Sequence, residues 1–231
     1  MEHSPADPNP DWAEEKKRIE KLSWWKELGG KHGIAADGVV WHFHPLTMIA
    51  SKAVDLRELR VRAFLRMIRV GEGTVGIGGY EKLFGGSSFV GEHGRTFDDH
   101  PQIKIKASGY TSSAAGAYQV MGYTWNDSSV VNFRRKLGIQ DFSPLSQDKF
   151  CVALLKFKVR GNALELVVSN RIREAVESSS WEWASLPPGR YGQPIETMEQ
   201  AMGHYERFLT EEVGGISDLY LMPGFLKEFG Y

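Results

Sequence analysis

One cysteine, Cys151, stands alone among 231 residues, so no disulfide framework can form within the chain. It lies in an apolar setting, KFCVALL (149–155), and reads as a buried core thiol. No stretch approaches the roughly 18 apolar residues of a membrane span. An excess of charge is also missing. The 28 basic and 29 acidic residues leave a net charge of −1, so no global field draws the chain to nucleic acid or membrane. Any attraction to a polyanion must be local. The first residues, MEHSPADPNPDWAEE, lack the basic, then apolar make-up of a secretory signal, so action outside the cytoplasm needs another route. No internal repeat and no low-complexity tract is found. With 42% hydrophobic and 25% charged residues, the composition is that of a soluble globular protein. The length suffices for one large domain, or for a domain plus an appendage.

The most informative stretch is RVRAFLRMIRVGEG (60–73). Phe64, Ile68 and Glu72 lie four apart, a spacing that stacks side chains on one helix face. Phe64 and Ile68 face the core, and Glu72 continues their stripe at the last turn between Gly71 and Gly73. A carboxylate there is costly unless used or paired. Partial burial raises a Glu pKa, so the acid holds its proton near neutrality and can donate it. The glycines leave room for a ligand against the backbone. The same pattern also fits a plain helix end with an exposed Glu.

Along the chain, residues 1–10 carry three prolines and read as disordered. A mixed-charge helix is expected over about 12–28, carrying Trp24 and Trp25 and stopping at Gly29-Gly30. Its run EEKKRIEK is a solvated face. A short strand follows in VWHFHP (40–45). Asp55 caps the helix that ends at Glu72. The texture over 73–119 is rich in glycine, serine and aromatics. Alternation in QIKIKA (102–107) predicts a strand, and the adjacent GYTSS closes a small hairpin. Helices are expected at about 124–137, 144–160, 163–178, 195–213 and 217–228. Ser143-Pro144 is a helix start, with Gln147 and Asp148 as first-turn polar groups. The outline is α+β: a mainly helical domain over 56–231 with a small β-hairpin insertion, preceded by an N-terminal helical extension, 1–55.

Small residues in TSSAAGAYQV (111–120) let a backbone approach a ligand, and Tyr118 and Gln119 offer an aromatic plane and an amide. That lining suits a sugar, and equally a tight turn with Tyr118 in the core. His42 and His44 would share one strand face, as a metal pair does, yet no third ligand stands at a recognisable spacing. No metal or other cofactor is expected. Trp125 and Trp183 read as core residues.

From about Arg62 to Gly214 the chain resembles the lambda-type phage lysozymes, a family of muramidases and lytic transglycosylases. The ordered matches are Glu72-Gly73-Thr74, GGYEKLFGG (78–86), Asp99-His100-Pro101, SAAGAYQ (113–119), the isolated Trp125, LGIQDFSPLSQD (137–148), WASLP (183–187) and Tyr191-Gly192-Gln193. The resemblance implies a lysozyme-like fold. It also implies cleavage of the β-1,4 bond between N-acetylmuramic acid and N-acetylglucosamine in peptidoglycan, with Glu72 as the single catalytic glutamate. Tyr80 and Phe84 are then expected on one lip of the groove and Tyr191 and Gln193 on the other. Ser112, Ser113, Tyr118, Gln119 and Asp99 join them as substrate-binding candidates. The alternative is a lysozyme-like module that grips glycan without cutting.

Two chemistries fit the family. Hydrolysis needs a second carboxylate or a positioned water, for which Asp98, Asp99 and Glu81 are candidates. Transglycosylation needs only one glutamate, acting as acid and then base, while the muramyl C6 hydroxyl attacks C1. The expected partner is the peptidoglycan glycan strand, with no nucleic acid and no membrane insertion. VWHFHP also resembles a segment of type VI secretion effectors. That likeness implies a secretion carrier and a cognate immunity protein, an antibacterial role, and action in the periplasm or cell wall. Release of a phage endolysin through a holin pore would serve as well.

Overall fold

A computed structural model describes residues 16–17, 55–107, 109–190 and 196–231. Of the expected extension, only Lys16, Lys17 and Asp55 are described, the two lysines helical and exposed. The helix proposed at 12–28, Trp24, Trp25, Trp41, His42 and His44 otherwise lie outside the described residues. The rest forms seven α-helices and one antiparallel hairpin among the described residues.

The central helix is α1 (Leu56–Gly71). Asp55 starts it, as expected, accepting a hydrogen bond from the Arg57 N–H at 2.9 Å. Val61, Ala63, Phe64, Leu65, Met67 and Ile68 are all fully buried. A helix buried on so many sides belongs to the middle of a domain. Arg62, Arg66 and Arg69 are buried as well, and a buried charge must be paired. Arg66 meets Glu211, Glu212 at 3.1 Å and Asp218 at 2.9 Å. Arg69 meets Asp218 at 3.1 Å. These partners lie at the end of α7 (Met198–Val213) and just beyond it. The arginine stripe therefore bolts the C-terminal segment onto α1. The Thr197 capping box with Gln200 starts α7, which packs along α1.

Three helical expectations needed correction. The span 124–137 is two helices, α2 (Gly122–Asn126) and α3 (Ser128–Lys136). Asp127 ends the first and caps the second, accepting from the Ser129 N–H at 2.9 Å. The span 163–178 is also two, α5 (Ala163–Val168) and α6 (Ile172–Ser179). Between them Asn170 takes a left-handed φ of 62°, which ends the helical path. The span 217–228 holds only a 3-10 turn, Phe225–Phe229, because Pro223 and the positive φ of Gly224 (88°) interrupt it. The intervening α4 (Pro144–Phe157) begins at Ser143-Pro144, as read from the sequence.

The hairpin pairs β1 (Ile105–Ala107) with β2 (Tyr110–Ser112), in the register Ile105↔Ser112. It is shorter than the alternation of 102–107 predicts. The surrounding loops are joined by isolated bridges, Leu83↔Ala115 and Ala115↔Val120. Beneath them Trp125 packs edge-on against Phe142 and Phe150 at 5.1 and 4.9 Å. Cys151 is fully buried, and burial pushes its thiol pKa up, so it is an inert core thiol. No helix among the described residues is long and apolar enough to cross a membrane.

Candidate active site

The end of α1 is built for a carboxylate. Glu72 is the capping residue, and Gly73 takes φ 66°. The Gly73 N–H bonds to the Val70 carbonyl at 3.0 Å and the Thr74 N–H to the Arg69 carbonyl at 2.9 Å. These two bonds make a Schellman ending, which fixes where the Glu72 side chain leaves the helix. Thr74 is buried and donates its hydroxyl to the Ala117 carbonyl. Arg69 donates into the Thr74 carbonyl from Nε and Nη2 at 3.2 and 3.0 Å. The Glu-Gly-Thr sequence is thus a rigid stop with the carboxylate at its tip.

The two glycines serve different ends, and neither is simply clearance for a ligand. Gly73 supplies the left-handed turn. A Cβ on Gly71 would stand 2.7 Å from Ser185 Oγ, so Gly71 makes room for Ser185. Ser185 Oγ in turn donates to Glu72 Oε1 at 2.6 Å. Glu72 is half-buried. Desolvation pushes its pKa from 4.5 up to about 7, and the Ser185 hydrogen bond draws it back only in part. The direction of this shift is that expected of a partly buried glutamate.

Glu72 opens into a cleft of about 840 Å³. Lys82, Phe84, Tyr110, Ser112 and Gln119 line it, together with Lys158, Trp181, Glu182 and Ser185. Lys82 Nζ donates to the Gly73 carbonyl at 2.8 Å, tying the loop to the acid's own turn. Glu182 is ion-paired with Lys158. Among the described residues, Glu72 and Glu182 are the only carboxylates lining this cleft.

Of the residues singled out in the sequence, Phe84, Ser112 and Gln119 line the cleft with Glu72. Gln119 is half-buried and takes φ 46°, and its amide donates to the Gly116 carbonyl at 3.0 Å. Tyr118 borders the cleft but is 1% exposed, with its hydroxyl donating to Asp148 at 2.6 Å. Its aromatic plane is core rather than a sugar platform. Tyr80 is a correction too. It is 1% exposed, lies under the Arg69 guanidinium at 4.6 Å, and donates its hydroxyl to Asp148 at 2.8 Å. It cannot serve as a lip.

Ser113 holds the turn by accepting from the Gly122 N–H at 3.0 Å, and it does not line the cleft. Asp99 accepts from the His100 N–H at 2.8 Å and from Trp125 Nε1 at 2.6 Å, so it caps a turn and anchors the core indole. Asp98 accepts from the Thr96 hydroxyl and Glu81 from the Ser88 hydroxyl. None of these three carboxylates lines the cleft. Trp125 and Trp183 are core residues as expected, 0% and 4% exposed. Tyr191 and Gln193 lie outside the described residues.

Sequence reasoning missed Ser185, Tyr110, Tyr123, Trp181 and Glu182. Ser185 had a signal, since it sits inside the matched WASLP run. Tyr110 and Tyr123 had none beyond being aromatic. They line the cleft with 70% and 72% of their surface exposed, in reach of a ligand.

A mainly helical body, a small hairpin, and a half-buried glutamate at a helix end beside a cleft fit a lysozyme-type glycosidase. The chain belongs to the endolysin family, whose sequence model matches residues 62–211. It is 37% identical to the endolysin of Escherichia phage lambda over 147 residues, 61% of this chain and 84% of that protein. It is 31% identical to the endolysin of Escherichia phage P2, over 61% of this chain and 87% of the relative. Among solved structures it resembles bacteriophage lambda lysozyme complexed with a chitohexasaccharide, with a TM-score of 0.55 and 30% identity over 69% of this chain and 96% of the other. A second structure of the lambda lysozyme gives a TM-score of 0.51 over the same shares. The fold expectation, α+β and lysozyme-like, therefore holds.

Proposed function

We propose that this peptidoglycan-lytic enzyme is a muramidase that cleaves the β-1,4 bond between N-acetylmuramic acid and N-acetylglucosamine, with Glu72 as its one general acid and base. The observation that carries the reading is that Glu72 holds its proton to about pH 7 in a cleft whose only other described carboxylate, Glu182, is paired with Lys158. The endolysin and lysozyme relatives support the substrate class.

In this reading protonated Glu72 gives its proton to the glycosidic oxygen as the C1–O bond breaks. Ser185 donates to Oε1, which leaves Oε2 for the proton. The ionised carboxylate then takes the proton of the muramyl C6 hydroxyl as that oxygen bonds to C1. The product carries a 1,6-anhydro ring, the glutamate is returned protonated, and no water is consumed. Two carboxyls about 5 Å apart, or about 6.5–9.5 Å apart with a water between them, would be expected of a hydrolase. Asp98, Asp99 and Glu81 do not line the cleft, which favours the anhydro route.

Residues 1–55 are proposed as an appendage that bond cleavage does not require, with a role in delivery to the cell wall. The test of the function is turbidity loss of purified peptidoglycan with wild type and Glu72→Gln. Clearing by wild type and none by the variant supports the reading. Sedimentation of both with the sacculi, without clearing by either, would favour a binding module instead.

A further inference from the structure

The chain as a whole carries almost no net charge, so an arrangement of unneutralised cations at the cleft must be built locally. One flanks Trp181, through two arginines that do not themselves line the cleft. Trp181 lines the cleft beside Lys158 and Glu182 and is 45% exposed. Two guanidiniums lie over its indole, Arg190 at 3.9 Å and Arg160 at 4.7 Å from the ring centroid. Stacking of this kind holds an arginine in place through its face and leaves its N–H edge available to a planar anion.

Arg190 is further fixed by donating from Nε to Ser180 Oγ at 2.7 Å and toward the Glu177 carbonyl at 3.4 Å. Arg160 is exposed and makes no hydrogen bond or ion pair among the described residues. Of the acids nearby, Glu182 is engaged by Lys158, and the exposed Glu177 carboxylate forms no ion pair with either arginine among the described residues. Neither guanidinium is ion-paired among the described residues. With guanidiniums over its ring, Trp181 acts as a holder for two cations.

We infer that the arginines beside Trp181 form a cationic subsite next to the cleft, which takes the carboxylates of the peptide stems carried by the glycan. The inference rests on the peptidoglycan reading above. A bare N-acetylglucosamine chain is neutral and offers nothing to two arginines. A muramyl residue carries a peptide on its lactyl group, and that peptide ends in free carboxylates that match the bidentate edge of a guanidinium. Arg160 and Arg190 would thus make the enzyme prefer stem-bearing glycan over stripped glycan. Solvent-facing ion pairs are individually weak, so the preference should be modest and should fade with salt.

The test measures KM of the full chain on three soluble glycans: stem-bearing strands, strands stripped of stems by an amidase with the lactyl carboxylate that this hydrolysis frees then converted to its amide, and stem-bearing strands with their carboxylates amidated. For wild type, KM on stem-bearing strands should be roughly fivefold lower than on the other two at low salt. In Arg160→Glu with Arg190→Gln, that advantage should disappear or reverse. Arg160→Glu alone, at an exposed position, keeps the test decisive if the double variant folds poorly, and it should remove at least half of the advantage. An unchanged KM ratio in a folded variant would overturn the subsite and leave the muramidase reading standing. The same advantage on amidated stems would overturn it too, since it would show recognition of peptide rather than carboxylate. Inactivity of the wild-type chain on all three glycans would overturn the muramidase reading, and this inference with it.

Discussion

Glu72, at the end of α1, and Asp148, in α4, are two carboxylates in opposite surroundings, one half-buried beside a cleft and the other fully buried. Glu72 sits at the tip of α1 with a single side-chain donor, Ser185, and opens into the cleft. Asp148 sits in the first turns of α4, fully buried, and accepts from the Tyr118 hydroxyl at 2.6 Å, the Tyr80 hydroxyl at 2.8 Å and the Tyr220 N–H at 2.7 Å. Burial raises both, Glu72 to about 7 and Asp148 to about 6. A raised pKa alone therefore does not single out a catalytic acid. Access to a ligand and the number of donors do. Three donors turn Asp148 into a tie between the cleft wall, the loop after α1 and the C-terminal segment. One donor leaves Glu72, the proposed acid, a proton to give.

The largest effect should come from exchanging these roles by mutation. Glu72→Gln is expected to lower lytic activity by about 10²–10⁴-fold while the protein stays folded, as read by turbidity loss and circular dichroism. Asp148→Ala should do the reverse. It strands two tyrosine hydroxyls and an N–H, and should cost about 3 kcal/mol or more in denaturant unfolding. Whatever remains folded should keep its pH profile. A stable Asp148→Ala protein would remove the distinction between the two sites.

The pH dependence sharpens it. The folded pKa of Glu72, about 7, lies above its unfolded value near 4.5, so the folded state binds this proton more tightly. The stabilisation is complete below about 4.5 and is lost as pH rises through 7. The melting temperature of Glu72→Gln, which has no such proton, should therefore gain on wild type between pH 5 and pH 8. Activity should fall on the alkaline side of about 7 as the acid loses its proton. Ser185→Ala removes the donor that opposes this shift, so the alkaline limb should move up by roughly half to one pH unit. No movement would mean that Ser185 does not act through Glu72.

The smallest effect is reserved for Asp99. It was a candidate for the chemistry and proves to be an anchor for Trp125. Asp99→Asn keeps an oxygen that can accept from the indole, so activity should stay within about twofold of wild type and stability should drop by at most about 1 kcal/mol.

What was legible in the sequence was local. Phe64, Ile68 and Glu72 announce their face by spacing alone, Asp55 and Ser143-Pro144 announce helix starts, and the Glu-Gly-Thr turn needs only adjacent residues. What was hidden depends on partners far along the chain. Asp148 looks like a solvated first-turn acid until Tyr80, Tyr118 and Tyr220 converge on it. Tyr80 looks like a lip until Arg69 and Asp148 bury it. Arg66 and Arg69 find their acids, and Arg62 the Leu221 carbonyl, about 145–160 residues further on, out of reach of any local pattern. Gly71 reads as clearance for a ligand because nothing near it in sequence reveals Ser185.

The central claim is that Glu72 works alone, as acid and then as base. Mass spectrometry of the muropeptides released from purified peptidoglycan tests it most directly, because the product records the nucleophile. A lone Glu72 should leave 1,6-anhydro-muramic acid ends, resistant to borohydride reduction and 18 Da lighter than the hydrolysed form. Muramic acid ends that reduce fully would show that water attacked C1, and that a second group in the cleft prepares it.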